Sequence, residues 1–290
     1  MYSQAINHLQ ADKWKSEIIE QISSIEENGV WQVVPLLQEA NLLGSTWVFG
    51  EKEYHTGKVV RYKARLCIQG FAQIEGIDYN ETYALTGRLA SLCFLISYCA
   101  INDFEIHKMD VCHAFLHGIT KEKVFMKYPE EYPHAIQPKT CLRLIKSLYG
   151  LKQIPRCWYK RLKDVLNTLK FEPCQANPGL FISTESSFCA VFVHVDDMLI
   201  GGELDIVERF KSDIKKVFSM DNMIQVQFIL GMKINQNQSS KTITLSQQLY
   251  IDKILKEFRM ENCKPVTTPM APGIKLVLSN ETNQDSTFAY

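Results

Sequence analysis

The chain carries no surplus of either charge: its 290 residues hold 32 Lys and Arg against 32 Asp and Glu. A protein that only coats a polyanion is usually basic overall, so this neutrality argues against a simple nucleic-acid coat. No apolar run is long enough to span a bilayer and no secretory leader opens the sequence. The expectation is a soluble intracellular protein, cytoplasmic or nuclear, with no membrane partner. The nine cysteines are odd in number, scattered, and never spaced as Cys-x-x-Cys. That excludes a disulfide framework or a structural zinc site and favours a reducing compartment. His113 and His117 stand four apart and could share a helix face, but a zinc site would need a third ligand and an acid that this spacing does not supply. Internal repeats and low-complexity tracts are also missing.

What is present is enough apolar material for a full core, 46% of the residues. The first segment predicts a helix, because Trp14, Ile18, Ile22 and Ile25 recur at helical spacing and Asn28-Gly29 offers a stop. A hairpin is expected next, with arms at Trp47–Phe49 and Val59–Ile68 around a turn at His55-Thr56-Gly57. Its second arm alternates. Val60, Tyr62, Ala64, Leu66 and Ile68 point one way, while Arg61, Lys63, Arg65 and Gln69 point the other, giving a packed face and a basic face. Nine basic residues between Lys139 and Lys170 stand against a single acid, Asp164. Such a stretch is usually a solvated helix face, and phosphate contact is the sharper alternative.

Further helices are expected over Leu89–Ala100, Arg156–Leu169, Leu204–Phe218 and Gln248–Phe258. Strands are expected at Phe104–Val111, Ala190–Val195, Met198–Ile200, Phe228–Ile234 and Thr242–Leu245. The mixture lacks a regular βαβ repeat, so the fold class is α+β: an antiparallel sheet with helices on one face. The expected division is a helical lead-in over 1–30, a main domain over 31–272 and a polar tail over 273–290.

The stretch from Phe192 to Ile200 is apolar on both sides of Asp196-Asp197. Paired aspartates often cap hairpin turns and need no other explanation. Here the flanks are buried-strand material, and a carboxylate at the rim of a core is costly unless a cation or donors neutralise it. Asp110 ends a second strand-like run in a similar setting. If the two strands are neighbours, Asp110 and Asp196 could share magnesium, which favours a few carboxylates and completes its shell with substrate oxygens. Two such ions about 4 Å apart can activate a 3′-hydroxyl and steady a leaving pyrophosphate.

These residues resemble a known family. A strand-ending Asp-Val-x-x-Ala-Phe followed by a Val-Asp-Asp hairpin is similar to the first and third palm motifs of reverse transcriptases. The copia-type retrotransposon branch adds YKARLCIQGF at 62–71, MDVCHAFLHG at 109–118, SLYGLKQIPRCWY at 147–159, then FILGMKI, LSQQLYIDKIL and ENCKPVTTPM. In order and spacing these motifs cover roughly residues 14–272. The resemblance implies a right-hand polymerase fold with fingers, palm and partial thumb, and RNA-directed DNA synthesis by two-metal nucleotidyl transfer. It implies two magnesium ions, or manganese, held by Asp110, Asp196 and the carbonyl of Val111, with Asp197 in support because the pleat turns it from Asp196. Lys63, Arg65, Phe115, Gly150 and Lys152 match nucleotide-binding positions: the first two clamp the triphosphate and Phe115 stacks under the sugar. Plain core packing is the rival reading for Phe115, and a solvated face for the two cations. His194, Leu230, Gly231 and Met232 match primer-positioning residues. The implied partners are a template–primer, deoxynucleotides, and integrase and RNase H segments of one polyprotein, housed in a virus-like particle. No protease, integrase or RNase H pattern is visible in these residues. The alternative is a non-catalytic remnant that keeps the fold and binds nucleic acid.

Some positions depart from the family pattern. His194 stands where Tyr is usual, His113 where a small or polar residue is, and Gln69 where a base is. Leu85, Thr86 and Gly87 replace a Pro-Val-Ala run. Losing Pro and gaining Gly is expected to loosen the loop into the following helix.

Overall fold

The computed structural model describes residues 5, 7, 10–53, 59–130, 132–223, 228–237, 239–267 and 273, without side chains at 52–53, 59–61 and 221–223. The expected turn at His55-Thr56-Gly57 lies outside the described residues, as does the polar tail beyond 273. The chain forms two compact units, Met1–Gln225 and Val226–Tyr290.

In the first unit the order is α1 (Ala11–Glu27), β1 (Trp31–Pro35), β2 (Leu42–Leu43), β3 (Ser45–Glu53), β4 (Val59–Ile68), α2 (Leu89–Asn102), β5 (Glu105–Val111), β6 (Phe125–Met126), β7 (Thr140–Leu144), α3 (Ile154–Thr168), β8 (Phe171–Pro173), β9 (Leu180–Ser183), β10 (Cys189–His194), β11 (Asp197–Gly202), α4 (Leu204–Lys215) and β12 (Met220–Met223). The second unit adds β13 (Phe228–Ile229), β14 (Met232–Asn237), β15 (Thr242–Ser246) and α5 (Gln248–Glu257). Each expected helix is present to within a few residues. The stop after α1 is where Asn28-Gly29 placed it. Gly29 takes φ +61° and its N–H bonds the Glu26 carbonyl at 2.8 Å, a left-handed helix cap that glycine adopts without strain.

The central sheet is six-stranded, in the order β12-β5-β11-β10-β9-β8, and its described pairings are antiparallel. Register decides the site. Asp197 of β11 lies opposite Asp110 of β5, so the two strands singled out by their acids are neighbours. A second sheet runs β1-β7-β6-β2, and β3 with β4 forms the expected two-stranded hairpin. The alternation along β4 is observed too: Ala64, Leu66 and Ile68 are buried while Lys63, Arg65 and Cys67 are only partly so.

The central sheet corrects one expectation, since helices cover both of its faces. Met109, Val111, Val191, Val193, Met198 and Ile200 enter one core with Trp158 and Leu162 of α3 and Val207 and Phe210 of α4. The alternate residues face α2, where Gly201 sits against Cys99 and Leu95. The reason is in the strands: β10 and β11 are apolar at nearly every position, which suits a sheet buried on both sides. A second core joins Ile18, Ile22 and Ile25 of α1 to Trp47, Ala64, Leu66 and Ile68 of the hairpin and to Met126, Leu142 and Leu144. Helix α1 thus packs into the second core of the first unit. Among the described residues no helix is long and apolar enough to cross a membrane.

Candidate active site

Strand β5 carries Met109 and Val111 into the core, and alternation leaves Asp110 facing away from it. The neighbouring β10–β11 hairpin closes through Val195 and Asp196, with His194 opposite Asp197. Val195 takes φ +60°, a left-handed conformation that costs a β-branched residue about 1–3 kcal/mol. Two hydrogen bonds hold the turn there. The Trp158 indole Nε1 donates to the Val195 carbonyl at 2.7 Å, and the Val111 N–H donates to the Asp196 carbonyl at 3.1 Å. The second bond ties the two acid-bearing segments together through backbone.

Asp110, Val111, Val195 and Asp196 line a cavity of about 410 Å³. Lys63 and Arg65 from the basic face of β4 line it as well, as do Phe115 and Tyr149. Six residues expected from sequence to meet a metal or nucleotide, Lys63, Arg65, Asp110, Val111, Phe115 and Asp196, therefore line one cavity. Phe115 has the packing of a core residue, against both cores, and also lines the cavity. Its carbonyl accepts a 2.5 Å hydrogen bond from the Ser147 hydroxyl, and its ring meets Tyr149 edge-on at 5.5 Å. The Arg65 guanidinium lies 5.7 Å from the Tyr149 ring centre. Burial pushes the Tyr149 hydroxyl up from its ordinary range, against the pull of Arg65, which keeps it neutral.

Asp197, opposite Asp110 in the register and so on the same face of the sheet, is not among the residues lining the cavity. Its Oδ1 lies 2.6 Å from the Lys108 Nζ, an ion pair that neutralises it outside the cavity's lining. Of the other expected residues of the first unit, Gly150, Lys152 and His194 do not line this cavity. Gly150, at φ +93°, is pressed against the backbone of Ile68 so closely that a Cβ would collide with it. Together with the 2.6 Å bond from the Ile68 N–H to the Tyr149 carbonyl, it braces the strand that bears Lys63 and Arg65. Lys152 is exposed, with its Nζ 4.6 Å from the Tyr79 ring centre. His194 is half-buried and its Nδ1 has no hydrogen-bond partner. Leu230 and Gly231 form the positive-φ turn between β13 and β14, with Met232 opening β14, and belong to the second unit. His113 and His117 do not share an α-helical face: His113 sits at φ +52° before a short 3₁₀ turn, Ala114–His117.

The altered loop also reads differently in three dimensions. The Gly87 N–H bonds the Val193 carbonyl at 2.9 Å, and a Cβ there would strike the Phe192 ring. Gly179 packs against Gly87 from the other side. The glycine expected to loosen this loop is instead wedged, because close approach of two backbones leaves no room for a side chain.

Sequence reasoning missed the α1 contribution: Glu17, Glu20 and Gln21 line the cavity. One signal was available, since Gln21 falls seven residues after Trp14 and three after Ile18, within the apolar stripe of the helix. The roles of Trp158, Tyr149 and Lys108 depend on tertiary contacts and left no such trace.

Four acids line the cavity: Glu17 and Glu20 from α1, and the pair Asp110 and Asp196 from neighbouring segments, which is the candidate donor set. Among the described residues no group of three or more His, Cys, Asp or Glu is gathered so as to hold a metal by itself. A donor set of two carboxylates suits magnesium that completes its shell from substrate phosphates, and does not suit a caged structural ion.

A family model described as reverse transcriptase (RNA-dependent DNA polymerase) matches residues 28–272. The chain is 35% identical over 276 residues to the retrovirus-related Pol polyprotein from transposon TNT 1-94 of Nicotiana tabacum, covering 94% of this chain and 21% of that protein. It is 32% identical over 281 residues to the Pol polyprotein from transposon RE1 of Arabidopsis thaliana, covering 96% and 19%. A putative transposon Ty5-1 protein of Saccharomyces cerevisiae matches at 32% over 164 residues, 56% of this chain and 53% of that one. The chain thus spans about a fifth of the length of the two plant polyproteins.

Proposed function

Starting from the fact that this chain belongs to the reverse transcriptases of copia-type retrotransposons, we propose that it extends a primer 3′ end with deoxynucleotides on an RNA or DNA template. The observation that supports this most is the shared wall. Two carboxylates from neighbouring segments, two cations from one strand and an aromatic ring line a single cavity.

In this reading the six-stranded sheet is the palm, and the β3–β4 hairpin with its core belongs to the fingers. Asp110 and Asp196, with the Val111 carbonyl, would hold divalent metal. Bound there, magnesium or manganese would polarise the 3′-hydroxyl and steady the departing pyrophosphate. The chain's own residues do the rest. Lys63 and Arg65 draw the triphosphate in and stabilise charge that builds up on it in the transition state. Phe115 supports the sugar, with Ser147 and Tyr149 fixing the backbone and ring. Lys108 pairs with Asp197, which leaves Asp196 as the acid of the hairpin tip that lines the cavity. Trp158 and the Val111 N–H keep that tip in its strained turn. His194 and the β13–β14 turn are assigned to the primer strand. The other segments of the parent polyprotein, integrase and RNase H, are proposed partners by analogy with the plant relatives, and cytoplasmic particles or the nucleus are the proposed setting.

Primer extension on an oligo(dT)-primed poly(rA) template with magnesium tests this. Incorporation by the wild-type chain, abolished by Asp196→Asn with template–primer binding retained, is the expected result. A well-folded wild-type chain that binds the duplex and incorporates nothing would identify a non-catalytic remnant and overturn the proposal.

A further inference from the structure

Helix α1 buries Trp14, Ile18, Ile22 and Ile25, and with them one polar residue, Gln21. Gln21 is 5% exposed, and its Nε2 is buried with no hydrogen-bond partner. Withdrawing an amide donor from water without giving it an acceptor is costly, and buried polar side chains are satisfied in the large majority of cases. Packing alone asks for Leu or Met at this point of the stripe. Gln21 is not confined to the core, however: it is among the residues that line the same cavity as Asp110, Asp196, Arg65 and Phe115. A donor held without an acceptor at the wall of a substrate cavity breaks a local rule where function would explain it.

We propose that Gln21 is a nucleotide-binding residue whose Nε2 donates a hydrogen bond to a sugar or base oxygen of the incoming deoxynucleoside triphosphate. The inference rests on the polymerase reading of this cavity. The charges around it choose the oxygen. Glu17 and Glu20 line the cavity from the same helix, whereas Lys63 and Arg65 come from β4. Phosphates are drawn to the cations and turned from the glutamates, which leaves the neutral part of the nucleotide to the amide.

Gln21→Met in the full chain tests the assignment, because it keeps the side chain's length and removes the donor. With primer–template saturating, the KM for dTTP should rise roughly five- to thirtyfold, the worth of one hydrogen bond to a buried donor. The kcat and the primer–template Kd should stay near wild type, and the urea midpoint should match or exceed it, since an unsatisfied buried amide has gone. A lowered midpoint with unchanged KM makes Gln21 a packing residue and overturns the proposal, as does an unchanged KM in a stable variant. A weakened primer–template Kd with unchanged KM gives the amide to the template strand and equally overturns it. Equilibrium binding of dTTP to the complex with a dideoxy-terminated primer separates this idea from the polymerase reading. If the wild type binds dTTP there and Gln21→Met binds it equally well, only the present inference fails. If the wild type binds none, the polymerase reading fails and takes the inference with it.

Discussion

Removing the indole N–H beneath the strained hairpin tip should uncouple activity from stability. Trp158 is 2% exposed and donates to the Val195 carbonyl at 2.7 Å, beside the residue that projects Asp196. Trp158→Phe leaves that carbonyl without its partner, at about 1–3 kcal/mol. It also opens a void smaller than that of a full truncation to alanine, which adds about 1–2 kcal/mol. The total is about 2–5 kcal/mol, read as a lower urea midpoint at unchanged slope. Trp47 provides the control. It is equally buried, 2% exposed, and lies in the other core. Its indole reaches the Glu130 carbonyl only at 3.4 Å, which is too long to contribute much. Trp47→Phe should therefore show the void alone, about 1–2 kcal/mol. The decisive assay is single-nucleotide incorporation under conditions where both variants are fully folded. With its tip free to relax out of the left-handed turn, Trp158→Phe should incorporate ten- to a hundredfold more slowly, as misplacement of a reacting group by about 1 Å does. Trp47→Phe should keep the wild-type rate. Equal rates in the two folded variants would refute the view that the indole holds Asp196 in place.

Gly87→Ala should destabilise the first unit by about 1–3 kcal/mol, since its Cβ meets the Phe192 ring; Phe192→Leu should recover part of the loss in a double-mutant cycle of urea midpoints. His117 is neutral in the fold because burial lowers its affinity for a proton, with Lys146 and Arg161 adding to the effect. Its unfolded form binds that proton near the ordinary histidine value of about 6.5, so the unfolded state holds more protons below that pH. Stability should fall as the pH drops from about 7.5 to 5.5, and a His117→Gln variant should show a shallower fall in midpoint over the same window. Burial pushes the thiols of Cys99 and Cys189 up to about 12, which keeps them as unreactive thiols at pH 8. Timed alkylation read by mass spectrometry should label exposed Cys93 and Cys263 in the native chain, and Cys99 and Cys189 only after unfolding.

Local pattern alone marked much of the candidate site and of the elements that hold it. Period-two alternation placed Lys63 and Arg65 on one face of β4, and period-3.6 spacing located the five α-helices α1–α5 of the described residues, because burial of a face imposes its period on the chain. The acids Asp110 and Asp196 stood out because carboxylates at the ends of apolar strands are hard to explain by packing. The strands at Leu42–Leu43, Phe125–Met126 and Phe171–Pro173 were invisible, since two or three residues hold no period and are strands only through their neighbours' hydrogen bonds. The same limit explains the misread glycine: whether Gly87 loosens or wedges depends on Phe192 and Gly179, distant in sequence and adjacent in space. The sequence by itself determined which side chains could do chemistry here and on which faces they stand. Only the tertiary structure decided that β5 lies beside β11, that Lys108 pairs with Asp197, and that α1 brings Gln21 to the cavity. Each of these is a contact between segments far apart in the chain, and no local preference encodes the distance between them.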